Sequence, residues 1–197
     1  MTVSDPDPLP DVGIEAKPAL LILIGLAVVY VVAFLAFGDR AYGTTIDLVA
    51  SAVLASVLLA LSYTDLRTGL LFDAMTLPLI LLGLGYAAWN GAVLMSVAGA
   101  IVGYALVAGL AAYWRRARGY EGIGLGDAKL LAAGGAWVGL AGLPILLLIA
   151  SGTGLIAALT VSKKARSAGE HVAIPFGPCL AMATWIVWCG IETLLFR

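Results

Sequence analysis

The stretch LVASAVLASVLLALSYTD, residues 48–65, runs for seventeen residues without a charged side chain and then ends at Asp65. A transmembrane helix needs about 20 mostly apolar residues, with a range of about 17–25. The stretch therefore predicts a bilayer-spanning helix whose end carries a carboxylate. Further apolar runs occur at 19–37, 70–89, 92–114, 128–161 and 172–196.

Composition places the whole chain in the membrane class. Of 197 residues, 62% are hydrophobic and 12% are charged, whereas soluble domains average about 45–50% apolar and about 25% charged residues. The few basic residues lie beside apolar runs and form no phosphate-binding stripe, so we expect a lipid bilayer and no nucleic acid as partner. Residues 1–18 lack the basic start and the cleavage site of a signal peptide. They are predicted to be a flexible cytoplasmic tail ahead of one transmembrane domain, 19–197.

Charge distribution predicts which way the chain crosses the membrane. The 128–161 run is too long for one ordinary span, and Gly139 and Pro144 within it favour a helix break. Dividing it there gives about seven spans, and the predicted fold class is an all-α polytopic membrane protein. With seven spans, nine of the eleven Lys and Arg residues fall on one side. Cytoplasmic loops are enriched in Lys and Arg, so the N-terminus and Asp65 are predicted to be cytoplasmic.

A second carboxylate is predicted on the same side as Asp65. Asp127 directly precedes the 128–161 run, inside Gly124-Leu125-Gly126-Asp127. Ionisable residues at a membrane segment indicate function by default. Two neighbouring carboxylates cannot both ionise easily, so one can draw a proton from water while the other hydrogen-bonds a carbonyl. The pattern therefore indicates acid/base chemistry on a membrane-embedded substrate, and the cation of Lys129 could help keep a nearby carboxylate ionised.

Other polar residues have simpler interpretations. Asp47 and Asp73 stand where helices begin and are predicted to cap them or stabilise their first turns. Cys179 and Cys189 lie on one predicted helix, about 15 Å apart along its axis, which is too far for a disulfide. With a single histidine in the chain, we expect neither a metal site nor a cofactor.

Small residues predict where the helices pack closely, and aromatic residues predict where they meet the membrane surface. Gly99 and Gly103 form a small-xxx-small pair, which permits close helix packing. The tryptophans fall mostly near predicted span ends, where interfacial anchoring is expected; they are Trp89, Trp114, Trp137, Trp185 and Trp188.

Three blocks of sequence then point to a family. The chain carries DLRTGLL at 65–71, followed by Asp73 and by TLP at 76–78, then GLGDAKLL at 124–131, and finally IPFGP at 174–178. Together and in this order, they resemble the prepilin peptidases, or type IV leader peptidases, whose second block carries the GxGD motif. The three blocks span most of residues 48–197 and are more specific than GxGD alone.

The resemblance implies a membrane aspartyl endopeptidase. Members of the family remove the short basic leader of type IV prepilins or of type II secretion pseudopilins, at the cytoplasmic face of the inner membrane of a bacterium or archaeon. Asp65 and Asp127 match the catalytic pair, and no metal or cofactor is implied for the cleavage. Support or substrate binding is implied, by family position, for Arg67, Asp73, Gly124, Gly126, Lys129, Pro175, Gly177 and Pro178.

The N-terminal region departs from the family pattern. Many bacterial members carry a cytoplasmic domain with cysteine pairs, linked to zinc and to N-methylation of the cut pilin. Here the tail 1–18 and the first span take that place. We therefore expect peptidase activity without methyltransferase activity.

Other functions stay open at this point. A transporter that relays protons through carboxylates would place acidic residues within its spans and show internal repeats, and the chain has no evident repeat. An inactive scaffold of a pilus or secretion assembly would differ only in failing to cleave a prepilin. A presenilin-like GxGD protease is a nearer alternative, but the TLP and IPFGP blocks fit prepilin peptidases better. The sequence leaves the oligomeric state open.

Overall fold

The computed structural model of the chain describes residues 16–41, 44–118, 124–168 and 175–195, and these ranges are helical apart from short connections. The predicted tail lies outside the described residues up to position 15, and the first helix begins at Ala16, ahead of the predicted start at 19. In chain order the helices are α1 Ala16–Ala41, α2 Thr45–Thr68, α3 Asp73–Trp89, α4 Val93–Arg118, α5 Leu125–Ala168 and α6 Gly177–Leu195.

Helix length and composition agree with the predicted all-α polytopic membrane fold. Four of the described helices, α1, α2, α4 and α5, are long and apolar enough to cross a membrane. The other two, α3 and α6, are shorter apolar helices. The count of seven spans and the cytoplasmic position of the N-terminus stay predictions.

The long helix α5 is divided by a kink at Gly139. Its φ of 70° and ψ of 176° lie outside the helical region, in a conformation that is accessible essentially only to glycine. The segments 125–138 and 140–168 meet there, inside the run where the sequence predicted a break. Pro144 lies inside the second segment and does not end it. That segment also reaches Ala168, through basic residues that the sequence assigned to a loop.

Local hydrogen bonds mark where helix α2 begins and ends, before the chain turns into α3. The side chains of Thr44 and Asp47 each accept a hydrogen bond from the other residue's N–H, the reciprocal arrangement of a capping box. Helix α2 ends at Gly69, whose φ of 64° is left-handed and whose N–H donates to the Asp65 carbonyl at 2.8 Å. Asp73 lies in the first turn of α3. The predicted capping role of Asp47 is therefore confirmed, whereas for Asp73 only the position in the first turn is confirmed, because α3 has no side-chain cap.

The first segment of α5 packs between α3 and α4. Gly99 of α4 lies against Gly135 of α5, and Gly103 lies against the Leu131 carbonyl, so the predicted small-residue packing occurs at this interface. On the other side, the Trp137 indole N–H donates to the Leu79 carbonyl of α3 at 2.9 Å. Helix α6 packs against α1, α2 and α5, and therefore joins the first part of the chain to the last.

Several tryptophans are placed differently from the interfacial positions that were predicted. Trp137, Trp185 and Trp188 are buried. The rings of Trp137 and Trp188 meet edge-on at 5.2 Å, and Trp185 stacks on Tyr30 at 5.1 Å. The interfacial prediction is wrong for these three, because nearness to a helix end does not show which face of the helix carries the side chain. Trp89 is 73% exposed, in keeping with an anchor.

Candidate active site

Asp65 lies in the last turn of α2 and is only 7% exposed. Its Oδ2 accepts a hydrogen bond from the backbone N–H of Gly177 at 2.9 Å. Gly177 is the first residue of α6, where the backbone N–H groups lack helical partners and favour a negative charge. The start of α6 therefore fixes the orientation of this carboxylate.

Asp127 lies in the first turn of α5 and is partly buried. Its carboxyl group is close enough to Asp65 for the two to interact electrostatically. Among the described helices, α2 and α5 make no direct backbone contact, but both pack against α6 and α3. The fold thus brings the two predicted carboxylates within electrostatic range of each other, from helices whose backbones make no direct contact.

A further pair of predicted residues forms an ion pair beside this site. The Lys129 ammonium lies 2.6 Å and 2.7 Å from the two carboxylate oxygens of Asp73. The sequence had suggested that Lys129 acts on a nearby carboxylate such as Asp127, whereas the structure commits its ammonium to Asp73. Gly126, another predicted residue, lies against Leu71, because a Cβ placed on it would be 3.0 Å from the Leu71 Cβ.

The other predicted site residues are close in sequence to the residues that make these contacts. Arg67 is exposed in the last turn of α2, and Gly124 is exposed directly before α5. Pro175 lies before α6 and Pro178 lies in its first turn, and both are partly buried. Their roles in support or substrate binding stay predictions.

Cys179 is a site residue that the sequence analysis missed. It is partly buried in the first turn of α6 and interacts with Asp65, Asp127 and Thr153. From the sequence, the two cysteines were judged too far apart for a disulfide and insufficient for a metal site, and neither forms a disulfide in the structure. The available signal was its position directly after the IPFGP block.

The remaining candidates for a binding site lie elsewhere. No group of three or more His, Cys, Asp or Glu side chains that could hold a metal occurs within the described ranges. An apolar groove of about 470 Å³ lies between the start of α2 and the end of α3, where Thr45, Val53, Leu82 and Trp89 are among its lining residues. Asp65 is at the opposite end of α2, so the groove is separate from the carboxylates.

Comparison with known proteins identifies the family. The family model described as type IV leader peptidase matches residues 52–159, which include both aspartates. This chain belongs to the type IV leader peptidase family. It is 40% identical over 155 residues to the prepilin leader peptidase/N-methyltransferase of Neisseria gonorrhoeae, covering 78% of this chain and 52% of that protein.

Other relatives of the same name give a similar picture. The Aeromonas hydrophila protein is 43% identical over 141 residues, 70% of this chain and 48% of its own length. The Dichelobacter nodosus protein is 36% identical over 180 residues, 89% of this chain and 58% of its own length. The chain therefore spans about half the length of these type IV leader peptidases. No solved structure matches it.

Proposed function

We propose that the chain is a membrane aspartyl endopeptidase that removes the leader peptide of prepilins or pseudopilins at the cytoplasmic face of the membrane. Membership of the type IV leader peptidase family supports a peptidase. The observation that carries the aspartyl mechanism is that Asp65, bound by the first N–H of α6, and Asp127 lie within electrostatic range of each other. Within the described residues, the Asp73–Lys129 ion pair, the cysteine thiols and the apolar groove provide no comparable pair of acid and base.

The reaction needs one water molecule and the two carboxyl groups. The ionised carboxylate takes a proton from water, and the protonated carboxyl donates a hydrogen bond to the oxygen of the scissile carbonyl. The hydroxide oxygen bonds to the carbonyl carbon, and the C–N bond of the resulting tetrahedral species breaks. The leaving nitrogen takes up the proton that was removed from water, which yields a new carboxylic acid and a new amine. The two carboxyl groups share protons and so act as one titrating unit.

The position of the carboxylates suits a substrate that is itself partly in the membrane. Asp65 lies at the end of one candidate span and Asp127 at the start of another. A peptide bond held between them would lie at the membrane boundary, between a water-exposed leader and an apolar segment. The predicted cytoplasmic side follows from the excess of Lys and Arg in the loops on that side.

The direct test is cleavage of a prepilin peptide by the purified chain in detergent. The substrate carries a basic leader and the first part of the hydrophobic segment, and mass spectrometry locates the cut. We expect cleavage at one bond, and a loss of about 10²–10⁴-fold on changing Asp65→Asn or Asp127→Asn, the range that acid/base groups contribute. Asp47→Asn is the matched control, because Asp47 lies at the other end of α2.

Three outcomes would contradict the proposal. Normal processing by the Asp127→Asn variant, in cells that lack other leader peptidases, would remove its catalytic role. Strong inhibition by a chelator would indicate a metalloenzyme. A complete lack of cleavage by the unaltered chain would favour the inactive scaffold.

A further inference from the structure

The connection between α2 and α3 makes two contacts that flank Asp127. We define residues 69–73 as the strap. The Leu71 side chain of the strap lies on the backbone of Gly126, directly before Asp127. The carboxylate of Asp73, at the end of the strap, binds the Lys129 ammonium through both oxygens, at 2.6 Å and 2.7 Å, two residues after Asp127.

The other end of the strap is attached to Asp65. The Gly69 N–H donates to the Asp65 carbonyl at 2.8 Å, and this bond closes the left-handed cap of α2. The strap therefore runs from the α2 turn that carries Asp65 to the start of α3, where it contacts the first turn of α5, which carries Asp127. Since α2 and α5 make no direct backbone contact, the strap links the two helices: it is covalently continuous with α2 and reaches α5 through the Leu71 contact and the Asp73–Lys129 ion pair.

Helix geometry separates Lys129 from the carboxylate pair. Residues two apart on an α-helix lie about 200° around its axis from each other, so Lys129 and Asp127 project from nearly opposite faces of α5. Lys129 pairs with Asp73 at the start of α3, whereas Asp127 lies within electrostatic range of Asp65. An attachment on the α3 face thus fixes the rotation of α5 and, with it, the direction of the Asp127 side chain.

We propose that the strap is a positioning device for the catalytic pair. The Asp73–Lys129 ion pair and the Leu71 contact hold the first turn of α5 at the rotation that presents Asp127 to Asp65. Asp73 and Lys129 are positioning residues, because each is paired with the other and acts through Asp127. The inference rests on the proposed function and adds to it the device that aligns its two carboxylates.

The size of the expected effect differs between folding and catalysis. The side chains of Lys129 and Asp73 are 30% and 56% exposed, and ion pairs with that exposure contribute little to folding stability. A displacement of a catalytic group by about 1 Å can, however, lower a rate by about 10²-fold. Loss of the pair should therefore lower kcat much more than it lowers the thermal stability.

Charge exchange provides the first test. Asp73→Asn and Lys129→Met are each expected to lower kcat for the prepilin peptide by about 10- to 100-fold, with KM nearly unchanged. The double variant Asp73→Lys with Lys129→Asp should recover at least a tenth of the unaltered kcat, because the pair forms again in reverse. Arg116→Gln on α4 is the control for removal of an exposed charge, and its kcat should be unchanged.

Cross-linking provides a second readout that needs no activity. Asp65→Cys and Asp127→Cys are combined in a Cys179→Ala chain, and short bifunctional thiol reagents of graded length report how often the two positions face each other. Adding Lys129→Met should lower the yield with the shortest reagent, whereas Arg116→Gln should not.

The outcomes separate this inference from the proposed function. If the unaltered chain cleaves but the single variants keep its kcat, the strap has no positioning role. The same conclusion follows if the kcat of the charge-exchanged double variant is as low as that of the single variants. If the unaltered chain does not cleave, the proposed function fails. The cross-linking yield then tests the positioning role of the strap without any measurement of activity. A yield unaffected by Lys129→Met overturns that role.

Discussion

The backbone N–H of Gly177 donates to Oδ2 of Asp65 at 2.9 Å, and a Cβ at position 177 would lie 2.5 Å from that same oxygen. The contact joins the first residue of α6 to the last turn of α2. Glycine is needed here for space, because any side chain would push the carboxylate away from the N–H that orients it. Helix α6 also packs against α5, the helix that carries Asp127.

A methyl group at position 177 should therefore stop cleavage without unfolding the protein. We expect Gly177→Ala to lower kcat by about 10²-fold or more, because the carboxylate must shift by a substantial part of an ångström. The matched control is Gly152→Ala, where a Cβ would meet nothing within 4 Å. Cleavage rates and thermal unfolding in detergent test both variants. A Gly177→Ala variant with unaltered kcat would show that the N–H contact has no part in catalysis.

The thiol of Cys179 gives a chemical test of the site. Because this thiol interacts with both Asp65 and Asp127, a bulky group attached to it should fill the space that the scissile peptide needs. We expect maleimide treatment to abolish cleavage in proportion to the labelled fraction, and a Cys179→Ala variant to resist the reagent. Cys189 is fully buried and serves as the internal control. Full activity of a chain shown by mass spectrometry to be labelled at Cys179 would place the reaction elsewhere.

Two glycines of α4 allow the effect of close packing on stability to be distinguished from the effect of helix propensity. At Gly103 a Cβ would lie 2.7 Å from the Leu131 carbonyl oxygen of α5, whereas at Gly109 it would meet nothing within 4 Å. Gly103→Ala should destabilise the fold by about 1–3 kcal/mol, since a backbone atom cannot yield as a side chain can. Gly109→Ala should be neutral or stabilising by up to about 1 kcal/mol, from helix propensity alone. Thermal unfolding in detergent measures both, and equal melting temperatures would contradict the packing.

Thiol labelling tests the predicted orientation in the membrane. Arg67 follows the carboxylate at the end of α2, and Asn90 lies in the turn after α3. In a Cys179→Ala background, we expect Arg67→Cys to react with a membrane-impermeant reagent only after the cytoplasmic side is opened. Asn90→Cys should react from the outside of intact cells. The reverse pattern would show that the excess of Lys and Arg does not set the orientation.

Parts of this architecture were accessible from residue patterns because they depend on neighbours along the chain. Apolar run length predicted membrane helices, and the break near Gly139 follows from glycine in a long run. The positions of Asp47 and Asp73 at helix starts follow from the local preference for acidic residues there. The motif blocks identified the family, because their residue types and order are specific.

What the sequence by itself determined is therefore the class of fold, the family and the two carboxylates proposed for catalysis. The tertiary structure alone decided that Gly177 orients Asp65, that Lys129 pairs with Asp73, and that Cys179 lies beside both aspartates. It also decided that Trp137, Trp185 and Trp188 face inward. The physical reason is that these contacts join different helices, and the rotation of each helix about its axis is fixed by packing against its neighbours, which a pattern within one segment does not contain.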